Sequence, residues 1–548
     1  MDANEFDALT QAASRPGRRR ALALLVAALP LASVVANLLA EEDAAGQGNG
    51  AGVGGGGGRR RRRRSRHHPG QNKNHRSDKR ERACAKAGQT LKQHKRKRCC
   101  QGLNLDASGR CAAPAPGPGP GPGPDPDPCT DLKPTGTSPT QGLQEAIDQA
   151  EPGATLTLCA RTWSVTSPVE ITTDLTLIGA GAGKTILDGG NASRVLLIKP
   201  RIDSGVTDAT VTLQDLTITK GHGDSGGGIL NNGGNLTLIG VSVTGNAASS
   251  GGGGIYSKGT LTLEDGTVIG GTGEGNTAAG NGGGLVNDGS TVTLRPGSLV
   301  TGNTASASGG GIYNLVGAVT LQTSSLVMGN RASFGGGGVA AQGGPVTLED
   351  GSSVTGNSAG NMGGGLYSSS GTLSMQTGSS VTGNYVDGGT GGGGVAVVGS
   401  LLTMESGSIV SGNWTRSDGG GILNYNAGVA LKAGSSVTGN TASGNGGGIH
   451  NHDASLTMEA GSSVTNNTAG YGGGIFQDGD FLTLREGSSV TGNTASDGGG
   501  IYNERDGAWV TVEGNPSPIV VNNCPNNCAG ATITTCAAEP VFCPEEPE

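Results

Sequence analysis

The chain has 548 residues, of which 106 are glycine, and aromatic residues make up only 3%. Because glycine has no side chain to bury, this composition excludes several large globular cores and leaves room for a thin one. Collagen is also excluded, since the glycines do not recur at every third position. The net charge is −7, yet residues 59–98 hold 18 Lys and Arg against 2 acidic residues, so the rest of the chain is acidic.

Residues 1–40 have the composition of an export signal. Arg15 and the run Arg18-Arg19-Arg20 precede an uncharged stretch from Ala21 to Ala40. A basic start followed by an apolar segment is typical of such signals. About 20 apolar residues also suffice to span a bilayer, so an uncleaved anchor is the alternative, and membrane contact is expected only through this segment. We therefore expect a secreted or cell-surface protein.

The composition of residues 41–83 and 112–128 predicts a spacer between the N-terminal segment and the rest of the chain. Residues 41–83 are rich in glycine and arginine and are predicted to be disordered. The basic block between Arg59 and Arg98 suits a solvated tail or attachment to an anionic cell-wall polymer, since neutralising phosphates releases counterions. No aromatic residue lies between Phe6 and Trp163, so base-stacking sites are missing and no nucleic-acid partner is expected. Residues 112–128 carry proline at nearly every second position and predict a semi-rigid linker.

Cysteine usage also favours export. Nine of the ten cysteines lie in two groups. One group comprises a predicted Cys-rich segment at 84–111 and Cys129, and the other lies in a predicted C-terminal cap or tail at 524–548. An even number of cysteines in short segments predicts disulfides in an oxidising compartment. The pairing is not fixed by the sequence, although Cys129 with Cys159 is a candidate because both flank one predicted helix. The disulfide candidates are Cys84, Cys99, Cys100, Cys111, Cys129, Cys159, Cys524, Cys528, Cys536 and Cys543.

From Gly226 onward the sequence repeats every 26 to 30 residues. Each repeat has a glycine triplet followed by an aliphatic residue, then an alternating apolar and polar triplet, then a motif that is usually Val-Thr-Gly-Asn. Three short strands per repeat, each closed by a glycine-rich bend, predict one coil of an all-β, three-sided parallel β-solenoid over residues 129–523. Helical repeats are excluded because glycine costs about 1 kcal/mol per residue in a helix interior. The aliphatic residues are Ile229, Ile255, Leu285, Ile312, Val339, Leu366, Val395, Ile422, Ile449, Ile475 and Ile501.

The repeat predicts columns of like residues. Val319 and Leu321 are expected to point inward, with Thr320 facing water. The asparagine that ends each Val-Thr-Gly-Asn motif is expected at a corner, because asparagine tolerates left-handed torsions and aligned asparagines form hydrogen-bonded ladders. Ser138-Pro139 followed by Leu143 and Ile147 predicts a short helix that covers the first coil. The ladder residues are Asn246, Asn276, Asn303, Asn330, Asn357, Asn384, Asn413, Asn440, Asn467 and Asn493.

These motifs resemble a known class of protein. Leu156-Thr157-Leu158 and Leu175-Thr176-Leu177-Ile178-Gly179 resemble opening coils of the pectate-lyase-like, right-handed parallel β-helix proteins. Thr301-Gly302-Asn303-Thr304-Ala305, leading to Gly309-Gly310-Gly311-Ile312, is similar to repeats of chlamydial polymorphic outer membrane proteins. The third glycine replaces an alanine of that family's motif, and Val or Ile usually replaces its Phe. The resemblance implies a right-handed β-helix with three sheets, at a cell surface.

The sequence gives little indication of catalytic residues. Glycosidases need paired carboxylates at a defined separation, whereas acids here recur after the same strand in each coil, as in Glu349 and Glu405. The most crowded mixture of charges lies in the irregular early coils. A polysaccharide lyase or glycoside hydrolase acting on an acidic polysaccharide is therefore the alternative function. The early-coil residues are Asp188, Arg194, Lys199, Arg201, Asp203 and Asp208.

A column of mostly aromatic residues follows the aliphatic position. It is expected either to bind a ligand or to stack on the solenoid wall. His450 fills the same slot as tyrosines in other coils, so we expect no metal at His450, His452 and Asp453, and no cofactor. The candidate ligand-binding residues are Tyr256, Tyr313, Tyr367, His450, Phe476 and Tyr502.

Together these patterns predict an exported surface or adhesin-like β-helix protein with a structural or binding role and no evident catalysis. Cell-surface glycans or anionic cell-wall polymers are the expected partners.

Overall fold

The computed structural model describes residues 139–200, 208–479, 481–505, 509–513 and 519–530, and two short strands earlier in the chain. Those strands, Asn104–Leu105 and Cys111–Ala112, pair antiparallel within a separate unit that comprises residues 44–130. The predicted export signal and disordered segment lie outside the described residues. So does the predicted linker, apart from its first residue, Ala112, which ends the second of these strands.

The predicted parallel β-solenoid is confirmed. Three main sheets of 14 strands each, which we call sheets A, B and C, run the length of the solenoid. Each coil contributes one strand to each of them, in that order. Strands of neighbouring coils pair in parallel at a spacing of about 4.8 Å. The right-handed sense of the coil stays a prediction.

The strands have the following bounds. Sheet A contains Ala154–Thr157, Leu175–Ile178, Thr210–Gln214, Asn235–Ile239, Leu261–Leu263, Thr291–Leu294, Ala318–Leu321, Val346–Leu348, Thr372–Met375, Leu401–Met404, Gly428–Leu431, Ser455–Met458, Phe481–Leu484 and Trp509–Val512. Sheet B contains Thr162–Ser164, Ile186–Asp188, Thr217–Thr219, Ser242–Thr244, Val268–Gly270, Leu299–Thr301, Leu326–Met328, Ser353–Thr355, Ser380–Thr382, Ile409–Ser411, Ser436–Thr438, Ser463–Thr465, Ser489–Thr491 and Ile519–Val521. Sheet C contains Val169–Ile171, Leu196–Ile198, Ile229–Asn231, Ile255–Ser257, Leu285–Asn287, Ile312–Asn314, Val339–Ala341, Leu366–Ser369, Val395–Val398, Ile422–Tyr425, Ile449–His452, Ile475–Asp478, Ile501–Asn503 and Cys528–Gly530.

A fourth, smaller sheet D was not predicted. Its nine strands lie between those of sheets B and C along the chain. They are His222–Ser225, Ala247–Gly251, Thr277–Ala278, Thr304–Ala305, Arg331–Ala332, Ser358–Ala359, Tyr385–Val386, Trp414–Thr415 and Thr441–Ala442.

The register matches the repeat. Ile312 pairs with Val339, and Val339 pairs with Leu366, so the aliphatic residues form one column. Val319 and Leu321 are at most 1% exposed, while Thr320 between them is half-buried on the outer face. Alternation along each strand therefore places the apolar residues in one continuous, narrow core.

The predicted asparagine ladder is also confirmed. Nδ2 of Asn330 donates to Oδ1 of Asn357 at 3.0 Å, and Nδ2 of Asn357 donates to Oδ1 of Asn384 at 3.0 Å. The backbone N–H of Asn330 donates to the same Oδ1 of Asn357, at 2.9 Å. Nδ2 of Asn357 also donates to the carbonyl of Val327 in the preceding coil, at 3.0 Å. The column is 0–1% exposed and continues to Asn523, so side chains satisfy buried backbone groups at this corner.

The expected left-handed torsions of these asparagines are wrong. The residue with positive φ is the one before the ladder asparagine, as in Gly329 (62°) and Gly356 (61°). Where glycine is replaced at this position, Asn466 (56°) and Asn522 (57°) take over. Asparagine does tolerate the left-handed region, but the solenoid uses it one residue earlier.

The glycine triplet is required by close packing of successive coils. A Cβ on Gly337 would lie 2.3 Å from the carbonyl oxygen of Ser358 in the next coil. A Cβ on Gly338 would lie 2.8 Å from the Gly365 carbonyl oxygen and 3.0 Å from Nδ2 of the ladder residue Asn357. The third glycine, which departs from the family motif, thus gives room to the asparagine column.

A second buried polar column lies at the third position of the sheet C strands. It includes Asn231, Asn287, Asn314, Asn424 and Asn451, each 0% exposed. Nδ2 of Asn451 donates to the carbonyl of Ala454 at 2.9 Å and to Oε1 of Gln477 in the next coil at 2.8 Å. The core therefore contains a hydrogen-bonded polar column beside its apolar columns.

The predicted N-terminal cap forms a helix at Pro139–Asp148. Leu143 and Ile147 are 0% and 3% exposed within the core. The Gln144 side chain accepts from the backbone N–H of Glu170 at 2.8 Å and donates to its carbonyl at 3.0 Å, so the helix satisfies backbone groups of the first sheet C strand. No helix in the described part of the chain is long and apolar enough to span a bilayer.

At the other end, sheet C continues to Cys528–Gly530, beyond residue 523 where the sequence analysis ends the solenoid. The predicted disulfide bonds and the pairing of the ten cysteines stay predictions.

Replacing Asn357 by alanine should destabilise the solenoid by about 1–3 kcal/mol, because it leaves buried partners such as the Asn330 N–H without a hydrogen bond. The urea midpoint of unfolding measures this. Asp350→Asn in the exposed turn of the same coil is the control and should change stability by less than about 0.5 kcal/mol. Equal midpoints for the two variants would contradict a stabilising ladder.

Candidate functional site

The aromatic column lies on the outer face of sheet C, as its spacing predicts. Tyr313 pairs with Ala340, which pairs with Tyr367, and farther along His450 pairs with Phe476, which pairs with Tyr502. These residues are second in their strands, and alternation directs them away from the core.

The column is covered rather than open. Tyr313, Tyr367, His450 and Phe476 are 7%, 9%, 7% and 3% exposed, and Tyr256 and Tyr502 are half-buried. The segments that enter sheet C fold against the rings: Phe334 packs edge-to-face on Tyr367 with centroids 6.2 Å apart. Tyr313 and Tyr367 belong to a second apolar cluster with Val286, Ala340, Ala396 and Leu423. The ligand-binding role of the column stays a prediction, and the packing shows that these rings stabilise the outer wall.

The tyrosine hydroxyls bond to the next coil. Oη of Tyr256 donates to Oδ2 of Asp288 at 2.8 Å, and Oη of Tyr313 donates to the Gln342 side chain. Burial, followed by the charge of Tyr367, raises the pKa of Tyr313 to about 12. Burial also raises the pKa of Tyr367 and, together with Asp288, that of Tyr256.

In the described part of the early coils, the charged side chains do not converge on one centre. Lys220 contacts Asp188 at 2.8 Å, Lys199 contacts Glu170 at 2.5 Å, and Arg194 donates to backbone carbonyls of Ser225 and Gly226. Arg201 and Asp203 lie outside the described residues. Two of the periodic acids are also paired with a basic residue of a neighbouring coil, Glu264 with Arg295 and Glu459 with Lys432. Within the described residues, these groups are engaged in local ion pairs and turns.

A cluster near the C-terminal end of sheet C brings together groups that the sequence analysis separates. His450 and His452 are two residues apart on one strand, so both lie on its outer face, and His452 pairs in register with Asp478 of the next coil. Nδ1 of His452 lies 2.8 Å from Oδ2 of Asp478. Ligand atoms of His450, His452 and Asp478 all lie within 4.8 Å of one another, and the three residues are buried.

Further charged groups surround these three residues, which we call the His–Asp cluster. Arg505 contacts Oδ1 of Asp478 and lies 2.8 Å from Oδ1 of Asp453. Nδ1 of His450 lies 3.6 Å from Oδ2 of Asp418. Burial alone would raise the pKa of Asp478, but the His452 hydrogen bond and nearby positive charge outweigh it and lower that pKa. Burial and the Asp478 charge raise the pKa of Glu504.

His450, His452 and Asp453 were considered as metal ligands from the sequence, whereas Asp478 was not. The signal was present in the repeat: Asp478 stands 26 residues after His452, one coil later in the same column. His452 and Asp478 occupy the fourth position of their sheet C strands, beyond the aliphatic and aromatic positions that define the repeat.

The outer face of sheet B carries repeated hydroxyl side chains. Five of its strands between residues 353 and 491 have serine at the first outward position and threonine at the second, around a buried valine. Hydroxyls of neighbouring coils are hydrogen-bonded, as in Ser380 to Ser353 at 3.0 Å and Thr382 to Thr355 at 3.1 Å. These side chains are half-buried, so the hydroxyls form a two-column array, which is interrupted at the strand Ile409–Ser411 where isoleucine replaces the first serine. We call this array the hydroxyl face.

Comparison with known proteins gives no relative. No family model, no curated protein and no solved structure matches the chain.

Tyr313 should ionise late in alkaline titration. The titration curve of the wild-type chain minus that of Tyr313→Phe isolates the phenolate absorbance of Tyr313. This difference should have its midpoint at about pH 12 in the folded protein and at about pH 10 in urea. Because burial favours the neutral phenol, its contribution to stability is complete below about pH 10 and is lost as the pH rises through about 12. Tyr471→Phe, at an exposed ring, controls for the amplitude. A folded-state midpoint near 10 would contradict the packed wall.

Proposed function

We propose that the chain is an exported surface or adhesin-like protein whose solenoid binds a repeating polymer, with cell-surface glycans as the ligand class. The observation that carries this proposal is the hydroxyl face. Serine and threonine hydroxyls donate and accept hydrogen bonds, and so do the hydroxyls of sugars. A regular array of serine and threonine therefore suits a polysaccharide, whose hydroxyls also repeat along the chain.

The spacing of the hydroxyl face supports a linear ligand. Rows recur at about 4.8 Å between coils, and the two columns are about 7 Å apart along the strand. Because the ladder bonds between Ser353 and Ser380 and between Thr355 and Thr382 hold the hydroxyls in place, little side-chain freedom is lost on binding. Weak contacts repeated over successive coils then add up.

The sequence resemblance to pectate-lyase-like β-helices and to chlamydial polymorphic outer membrane proteins belongs to this proposal, since it favours a surface location. The export signal and the basic block between Arg59 and Arg98 support the same location, with anionic cell-wall polymers as the partner of the basic block. The acidic composition of the rest of the chain disfavours an acidic polysaccharide as the ligand of the solenoid.

The hydroxyl face can be tested with the double variant Thr355→Lys/Thr382→Lys in the full chain. Bulky charged side chains in two adjacent rows should reduce retention on insoluble polysaccharides or a glycan array by about tenfold or more, as expected for a loss of ~1.4 kcal/mol. Thr320→Lys/Thr347→Lys is the matched control, because these threonines occupy adjacent coils on the outer face of sheet A.

Retention that is unchanged in the sheet B variant, or lost equally in the sheet A variant, would overturn the hydroxyl face as the binding surface. The same incubations separate a binder from a lyase or hydrolase. The proposal expects intact polysaccharide, and new reducing ends or unsaturated sugars released by the wild-type chain would contradict it.

A further inference from the structure

We propose that the His–Asp cluster is a binding site for a divalent transition-metal ion of the zinc type, with His450, His452 and Asp478 as its protein ligands. The proposal does not depend on glycan binding. It rests on two imidazoles and one carboxylate that converge, buried, on the outer face of sheet C.

The donor set fits zinc. Two imidazole nitrogens and one carboxylate oxygen match the three-ligand zinc sites that keep a fourth position for water or another ligand. Imidazole donors disfavour Mg²⁺ and Ca²⁺, which prefer oxygen ligands. A tetrahedral ion with bonds of about 2 Å needs its ligand atoms about 3.3 Å apart. The 2.8 Å separation of His452 Nδ1 and Asp478 Oδ2, and a spread within 4.8 Å for the whole set, are within reach of small side-chain rotations.

Neighbouring groups provide the outer layer that such sites require. Arg505 holds Oδ1 of Asp478, which leaves Oδ2 directed at His452 and available to an ion. Asp418 faces the His450 ring at 3.6 Å, and Asp453 faces Nε2 of His452 at 3.6 Å. Carboxylates placed against the second nitrogen of a metal-bound histidine fix the ring and raise its basicity.

The local charge favours a cation. Four carboxyl groups, those of Asp418, Asp453, Asp478 and Glu504, surround two histidines and a single guanidinium. Arg505 is shared between the carboxylates of Asp478 and Asp453, so one positive side chain faces two negative ones. The side chains of His450, His452 and Asp478 keep 9% to 10% of their surface open, so an ion has access while bulk water is largely excluded.

A bound ion would join two coils, because the histidines belong to the strand Ile449–His452 and Asp478 ends the next strand, Ile475–Asp478. It would therefore act as a clamp near the C-terminal end of the solenoid, and binding to the folded state should raise the unfolding temperature.

The experiment uses the full chain, under non-reducing conditions, with the other five histidines (His67, His68, His75, His94 and His222) replaced by glutamine, so that only His450 and His452 remain. Zn²⁺ is titrated calorimetrically, Co²⁺ is followed by its visible absorption, and the imidazole signals are followed by NMR. His452→Gln and Asp478→Asn in this background are the test variants, and Asp350→Asn, in a distant exposed turn, is the matched carboxylate control.

We expect one equivalent of Zn²⁺ to bind, both imidazoles to shift and the unfolding temperature to rise. Loss of a residue that only supports a metal ligand lowers affinity about 10- to 100-fold. Each ligand variant should lower the Zn²⁺ affinity by more than this, and Asp350→Asn should leave it unchanged. Unchanged affinity in both folded ligand variants would overturn the site. If the variants do not fold, the parent chain decides: imidazole signals that fail to move with Zn²⁺ would equally overturn it.

Discussion

Each coil must bring a buried asparagine amide within hydrogen-bonding distance of the next, because the buried backbone N–H of each ladder asparagine bonds to the side chain of the following one. In the column from Asn246 to Asn523, each Oδ1 accepts from the preceding coil and each Nδ2 donates onward. The ladder requires the glycines beside it, since a Cβ on Gly338 would press on Asn357. Repeat length, register and glycine content all follow from this constraint.

With the backbone fixed in this way, the three outer faces are free to differ. Sheet C is covered by the segments that enter it, which pack rings such as Tyr313 and Tyr367 into a second wall. Sheet B is open and displays repeated serine and threonine. At one place on sheet C, histidines and a carboxylate of two coils join the aromatic rings, with His450 against Phe476 and His452 against Tyr425. A solenoid of nearly uniform coils thus carries one extended candidate binding surface and one localised candidate metal site.

Much of the architecture could be predicted from the sequence because it is periodic. The column Ile312, Val339 and Leu366, the ladder and the helix beginning at Pro139 follow from spacing alone. Non-periodic features could not be predicted. The covering of Tyr367 by Phe334 depends on how a loop folds back, and the pairing of Asp478 with His452 depends on a single substitution in one coil. The polar column of Asn231 and Asn451 was not predicted, since alternation places a residue on the inner face without showing that its polar groups find partners there.

Distances between nitroxide labels on the outer face of sheet A test the stacked register most directly. Thr320 and Thr457 are five coils apart in one column, and Thr237 and Thr457 are eight coils apart. At about 4.8 Å per coil, the label separations should be about 24 Å and about 38 Å. Separations that do not increase with the number of intervening coils would contradict the account.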